Sequence, residues 1–321
     1  MKRFAIIALL ILAAGAFIVV PMLKGNDTDV DTAELATFNF DGFLATPYGK
    51  DTPIAFTVPE GPITKVELIY NDSLFAQWKN PKGKITLLLD ADFYGVGART
   101  LLLRSTFSDG TTEEDPRMIR VLSDISPKPL VASVVKAYPH DATSYTQGLE
   151  FDKGQLYEGS GNPGNTGESK VGKVDLNTGQ FTLKNALDAT YFGEGITIFG
   201  DELFQLTWQN GKCFVWDKNT MQLKREYMYT GQGWGLCNDG HFLIMSDGSE
   251  RITFRDPKTF RPVRTIEVYD DQGPRPNLNE LEYVNGKIYA NVYMTNLVLT
   301  IDPLSGKVLE EIEPSTVMRA W

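Results

Sequence analysis

Histidine and cysteine are the scarce residues of this 321-residue chain: His140 and His241, Cys213 and Cys237 are all it has. A closed zinc site takes four such ligands, so both pairs would have to converge, and no CxxC or HxxxH spacing suggests that they do. The same scarcity leaves little room for a histidine-based catalytic triad. Basic residues are also short, with 31 Lys and Arg against 41 Asp and Glu and a net charge of −10. Phosphate binding needs a basic face, so nucleic acid is not an expected partner. Disorder is excluded as the overall class, because 42% of residues are apolar and 11% aromatic. The chemistry must therefore come from carboxylates, amides, hydroxyls, Lys and Trp.

What is present begins with an apolar run from Phe4 to Leu23, flanked by Lys2, Arg3 and Lys24. As a helix this run would span about 30 Å, one hydrocarbon thickness, with its positive end in the cytoplasm. Export of the rest follows, to a periplasmic or other extracytoplasmic side. Ala13-Ala14-Gly15-Ala16 fits a signal-peptidase site, whereas the apolar stretch Phe17-Ile18-Val19-Val20 beyond it suits a retained membrane anchor. Residues 1–25 are read as this segment and 26–37, polar and acidic, as a tether. Over 38–125, alternating Val66/Leu68/Tyr70, Ile85/Leu87/Leu89, Leu101/Leu103 and Ile119/Val121 are separated by Pro- and Gly-containing turns. That spacing predicts a small β-sandwich of immunoglobulin type, without a disulfide and without a cluster of catalytic residue types. Ser126-Pro127-Lys128-Pro129 reads as a stiff linker.

From residue 130 to 321 the chain repeats itself. Turns led by Asp175, Asp217, Asp256 and Asp302 recur at intervals of 42, 39 and 46 residues. A period near 40–45 with several strands and no convincing helix predicts a β-propeller. A second recurring element is Gln147-Gly148-Leu149, Glu194-Gly195-Ile196, Trp234-Gly235-Leu236 and Asn279-Glu280-Leu281. These share one phase, so Gln147, Glu194, Trp234 and Asn279 should converge at one end of the central channel. Twelve residues after each apolar marker come Gly161, Trp208, Gly248 and Tyr293, which predicts a pocket with an uneven aromatic wall. Repeats of this kind also need Gly and aromatic residues simply to turn and pack. The turn aspartates read as turn formers, and His140 as a turn residue. Cys213 and Cys237, in neighbouring repeats, read as buried free thiols, pairing in an oxidising compartment being the other reading. Glu194 stands apart: a carboxylate before Gly at a strand start, with no evident packing role.

Tyr145-Thr146-Gln147-Gly148-Leu149, Phe192-Gly193-Glu194-Gly195-Ile196-Thr197, Gln205-Leu206-Thr207-Trp208, Gly233-Trp234-Gly235-Leu236, Met245-Ser246-Asp247-Gly248-Ser249 and Leu278-Asn279-Glu280-Leu281-Glu282 run in one order along the chain. With Tyr138-Pro139-His140-Asp141 they resemble the glutaminyl-peptide cyclotransferases of plant and bacterial type, over about Val134 to Val308. The resemblance implies a five-bladed β-propeller. It also implies conversion of N-terminal glutamine of peptides or proteins to pyroglutamate with loss of ammonia, with no metal and no cofactor. By resemblance Glu194 is the proton shuttle. Asn279 holds the substrate amide or its oxyanion, and Tyr145, Gln147, Phe192, Trp208, Trp234 and Tyr293 line the substrate pocket.

Two departures from the family pattern stand out. The stretch Asn291-Val292-Tyr293-Met294-Thr295-Asn296 carries Tyr where the family usually has Trp. The family also continues past the position of Trp321 with further strands and an assisting Lys that has no counterpart here, so the last blade is expected to be incomplete and the natural product longer. Other readings of the same residues are a propeller that only binds peptide or carbohydrate, and a calcium-dependent lactonase-like hydrolase using Glu194, Asn279 and Asp247 as oxygen ligands. A monomer is expected for a propeller, with membrane contact through the N-terminal segment.

Overall fold

The computed structural model describes residues 34–162 and 168–314. The apolar run and most of the tether lie outside the described residues. Among those described, no helix is long and apolar enough to cross a membrane. The fold is all-β, and residues from Leu35 onward form one compact unit.

Eight strands make its first part: Thr37–Phe38 (β1), Phe43–Pro47 (β2), Asp51–Val58 (β3), Ile63–Tyr70 (β4), Ser73–Lys79 (β5), Gly83–Asp90 (β6), Gly97–Phe107 (β7) and Thr112–Leu122 (β8). They form a three-stranded sheet ordered β1-β3-β6 and a five-stranded sheet ordered β2-β8-β7-β4-β5. The inward positions of β3 (Ile54, Phe56), β4 (Val66, Leu68), β7 (Leu101, Leu103) and β8 (Ile119, Val121) share one buried cluster, so the two sheets face each other across a common core. Period-2 alternation is what selects one face of each strand for that core.

The second part consists of antiparallel four-stranded meanders. The first runs through Tyr145–Asp152 (β10), Gln155–Gly161 (β11), Lys170–Val174 (β12) and Phe181–Ala186 (β13). The second holds Gly193–Phe199 (β14), Glu202–Thr207 (β15), Lys212–Asp217 (β16) and Leu223–Met228 (β17). The third holds Leu236–Asn238 (β18), Leu243–Ser246 (β19), Arg251–Arg255 (β20) and Pro262–Glu267 (β21). The fourth holds Leu278–Val284 (β22), Lys287–Val292 (β23), Val298–Ile301 (β24) and Val308–Glu313 (β25). Lys128–Val131 (β9) adds to β25 as a parallel outer strand. The segment read as a linker is thus partly a sheet edge. Pro129 is tolerated there because an outermost strand pairs on one side only.

Each turn aspartate sits where the third strand of a meander turns into the fourth. The Oδ1 atoms of Asp175, Asp217 and Asp256 each accept backbone N–H bonds from residues two and three further on, and that of Asp302 accepts from Leu304. Middle strands such as β15 and β16 are buried on both faces while outer β17 alternates. Burial on both faces follows from stacking of meander on meander. One cluster joins the first and second meanders through Val171, Ile196 and Phe214, a second joins the second and third, and a third joins the third and fourth. Leu149 and Phe151 of β10 remain exposed.

The sheet pair is fastened to the meanders at one seam. Arg99 Nη1 lies 2.6 Å from Glu267 Oε2, which also accepts from the Ala98 amide at 2.9 Å. Gly97 makes this possible: at φ 128° its missing Cβ would sit 1.7 Å from that oxygen. Ser123 N–H donates to the Asp270 carbonyl, and Lys307 reaches Asp124 and the face of Tyr48.

Candidate active site

The innermost strands β10, β14 and β22 break register near their starts, between Thr146 and Gly148, Gly193 and Ile196, and Leu278 and Leu281. A bulge re-aims the side chain it carries. The residues at these breaks are Gln147, Glu194 and Asn279. In the third meander the ladder starts at Leu236, and Trp234-Gly235 precede it. The Gly235 amide donates instead to Ser246 Oγ at 2.7 Å, and that hydroxyl donates on to the Asn279 carbonyl at 2.7 Å. Neighbouring meanders are thereby tied through a serine hydroxyl, and backbone to backbone by Gly195 N–H to Trp234 O at 2.8 Å.

Glycine follows three of these four positions, Gln147, Glu194 and Trp234, for a steric reason, whereas Glu280 follows Asn279. A Cβ on Gly195 would stand 2.6 Å from the Trp234 carbonyl, and one on Gly235 only 2.0 Å from the Asn279 carbonyl. The glycines of the second repeated set make room for rings. A Cβ on Gly161 would fall 2.2 Å from the Phe192 ring, and one on Gly248 would meet the Trp234 indole at 2.6 Å.

The result is a cavity of about 360 Å³ lined by Tyr145, Gln147, Phe192, Glu194, Trp208, Trp234, Asn279 and Tyr293. All eight sequence-predicted site residues are brought together in it. Tyr145, Phe192 and Trp208 form an edge-to-face series, with centroids 6.2 and 5.8 Å apart, and Trp234 meets Tyr293 edge-on at 5.4 Å. Such contacts hold rings at fixed angles. The aromatic rim is open, with Tyr145, Trp208 and Tyr293 between 38% and 48% exposed, while Glu194 at the base is 5% exposed.

Burial alone pushes the Glu194 carboxyl up to about 9, so it is neutral at neutral pH. Glu280 is likewise raised well above the usual carboxylate range. Its two oxygens are buried without a hydrogen bond of good geometry, and burial is followed by the charges of Glu282, Glu194 and Glu150 as causes, opposed by the Leu236 amide. These oxygens fill the space a Cβ on Gly148 or Gly195 would need, at 3.1 and 2.7 Å. Glu150, lower on the same strand as Gln147, is pushed up by burial to about 7 against a hydrogen bond from Thr197.

Three contributors carry no signal in the repeat pattern: Ser246, Glu280 as a buried acid, and Gln232, which touches both indoles. Asp247 is not among the lining residues; its Oδ1 accepts from the Ser249 amide and hydroxyl in a turn. His140 lies away from the cavity and shares Glu158 Oε1 with Ser144 and Thr146. Cys213 and Cys237 are free and buried. Among the described residues no group of three or more His, Cys, Asp and Glu is placed to hold a metal.

Residues 102–320 match the sequence model of the family described as glutamine cyclotransferase. A glutaminyl-peptide cyclotransferase of Arabidopsis thaliana is 37% identical over 199 residues, which cover 61% of this chain and 61% of that protein. The chain thus spans less than two thirds of the length of this curated relative. The crystal structure of a glutaminyl cyclase from Myxococcus xanthus superposes with a TM-score of 0.57 at 36% identity, covering 61% of this chain and 82% of that one.

Proposed function

The chain belongs to the glutamine cyclotransferase family, and on that premise we propose that it is a glutaminyl-peptide cyclotransferase acting on peptides or proteins with an N-terminal glutamine. The observation that carries this reading is a neutral, buried carboxyl, Glu194, at the base of an aromatic pocket that also holds the carboxamides of Gln147 and Asn279.

The α-amine of such a substrate must attack the side-chain carboxamide carbon of the same residue, so the enzyme's first task is to fold the substrate side chain back on itself. A pocket walled by Phe192, Trp208 and Trp234 restricts the conformers available and excludes water. The second task is to present the amine unprotonated. A free α-amino group titrates near 7.7–8.0, below the raised Glu194 carboxyl, which favours acid plus neutral amine over carboxylate plus ammonium. As the C–N bond of the five-membered ring forms, the carbonyl oxygen gains negative charge, and the carboxamide N–H groups of Asn279 and Gln147 are the donors at hand. Glu194 gives its proton to the departing amide nitrogen, ammonia leaves, and the attacking nitrogen's extra proton returns to Glu194. Atoms and charge balance, and the acid ends as it began.

The finer architecture is part of the same proposal. We read residues 38–125 as an immunoglobulin-like sandwich, a reading supported by two facing sheets and the parallel pairing of β2 with β8. The meanders within 130–321 are read as consecutive blades of a five-bladed propeller. The regular period supports this, as do the exposed Leu149 and Phe151 on the flank of the first meander, where a further blade would pack. Residues 4–23 are proposed to lead the chain across a membrane and to hold the enzyme, a monomer, on the extracytoplasmic side.

The test is ammonia release from a Gln-Ala dipeptide, with acetyl-Gln-Ala and Asn-Ala as controls. Release from Gln-Ala alone is expected. No release from any of them, with the dipeptide still bound, would favour a binding propeller instead.

A further inference from the structure

Gln232 lies in the loop between β17 and β18 and is exposed. Its side-chain carbonyl accepts two indole hydrogen bonds at once, from Trp208 Nε1 at 2.8 Å and from Trp234 Nε1 at 2.9 Å. Those two rings come from different meanders. Trp208 ends the series that begins at Tyr145 and Phe192, whereas Trp234 begins the pair with Tyr293. One oxygen therefore joins two separate aromatic arcs into a continuous wall.

The loop is built to hold that oxygen in place. Gly231 on one side adopts φ 88°, a conformation that suits glycine. Gly233 on the other donates its N–H to the Trp208 carbonyl at 3.0 Å, and a Cβ there would fall 2.2 Å from the Tyr229 hydroxyl. That hydroxyl is itself fixed, donating to the Thr207 carbonyl at 2.6 Å. The backbone of the Gln232 loop is thus registered against the end of β15, from which Trp208 projects. An sp² carbonyl oxygen has two lone pairs, so both indole bonds are geometrically compatible with a single acceptor. The edge-to-face contacts orient each Trp ring within its own arc, and the shared acceptor fixes the two arcs relative to each other.

We propose that Gln232 is a positioning residue that locks the Trp208 and Trp234 rings into one wall and so sets how tightly the substrate is held, a role that rests on the cyclotransferase reading for its kinetic consequence but not for its structural one. Gln232→Met removes the acceptor at nearly constant length. Gln232→Glu keeps an oxygen for both indoles. In a ¹H–¹⁵N spectrum the five tryptophans give indole N–H signals, and W208F and W234F identify the two of interest. Q232M is expected to shift those two signals and leave the rest in place, and to raise KM for Gln-Ala about tenfold with kcat changed less than threefold. Q232E is expected to bring KM back to within about threefold of the parent. Unmoved indole signals in Q232M overturn the proposal, whatever the activity. Shifted signals with an unchanged KM also overturn it, since positioning would then do nothing for the substrate. If the parent releases no ammonia, the cyclotransferase reading fails, and the indole signals together with the dipeptide's binding constant decide the positioning role alone.

Discussion

Replacing Glu194 with Gln should remove activity and raise stability, and the gain should grow with pH. In the folded protein the carboxyl titrates near 9 because it is buried; in the unfolded chain a Glu titrates at about 4.3. Between those values the folded state carries a proton that the unfolded state has lost, so the stability held by this group is fully present below the unfolded value and is lost as pH rises toward 9. At pH 7 the gap of about 2.7 units corresponds to about 3–4 kcal/mol of destabilisation. A glutamine carries no such penalty, although its amide needs partners in the pocket and unmet hydrogen bonds would return about 1 kcal/mol. The expected net gain for Glu194→Gln is about 2–3 kcal/mol at pH 7, near nothing at pH 4.5, and larger again at pH 8.5. Urea denaturation of parent and variant at these three values measures it directly. A gain that is the same at all three, or a parent more stable than the variant at pH 8.5, would refute the assignment of a buried neutral acid.

Asn279→Ala should lower kcat for Gln-Ala by about 10²–10³, the scale of losing one oxyanion donor, while the far-UV spectrum stays that of the parent; a loss under threefold would remove Asn279 from the reacting centre. Gly235→Ala should cost about 3 kcal/mol in a denaturant titration, because its Cβ would fall 2.0 Å from a backbone carbonyl that cannot step aside. Gly200→Ala, at φ 66° with open space around it, should cost only about 1–2 kcal/mol from its left-handed backbone. Prolonged dialysis against EDTA should leave ammonia release unchanged; loss of activity restored by calcium would turn the account toward an oxygen-liganded cation at the pocket.

The pocket was readable from sequence to an unusual degree because a repeat converts spacing into position. Residues in equal phase of equal meanders end at equal places around an axis, so Gln147, Glu194, Trp234 and Asn279 could be grouped with no knowledge of their contacts. The glycine after Gln147, Glu194 and Trp234 shared the same logic, although its cause, a neighbouring meander's backbone at the missing Cβ, shows only in three dimensions. Gln232 could not be found this way. It lies in a loop, outside any strand period, and its importance rests on two bonds to side chains 24 and 2 residues away. Glu280 was hidden for another reason: directly after Asn279 in a repeated motif it reads as part of the strand, and only three dimensions show its oxygens filling the space beside two glycines. In the sheet pair, the alternating strands β4, β6, β7 and β8 announced themselves, but β3, which carries Pro53, did not. Proline is tolerated there because β1 pairs β3 only at Phe56 and Thr57, leaving Pro53 with β6 on one side alone. The pairing of β9 with β25 spans nearly the whole of the second part, and no local pattern encodes so distant a partner.

The protonation state of Glu194 in the free enzyme is where the account is most exposed. Carbon-13 labelling of the glutamate side-chain carboxyls, with Glu194→Gln to identify the signal, allows its titration to be followed by NMR. A midpoint near 9 would show an acid still carrying its proton where an α-amine has lost its own. A midpoint below about 6 would mean a carboxylate at neutral pH, and the proposed route by which the amine is freed and the ammonia protonated would be wrong.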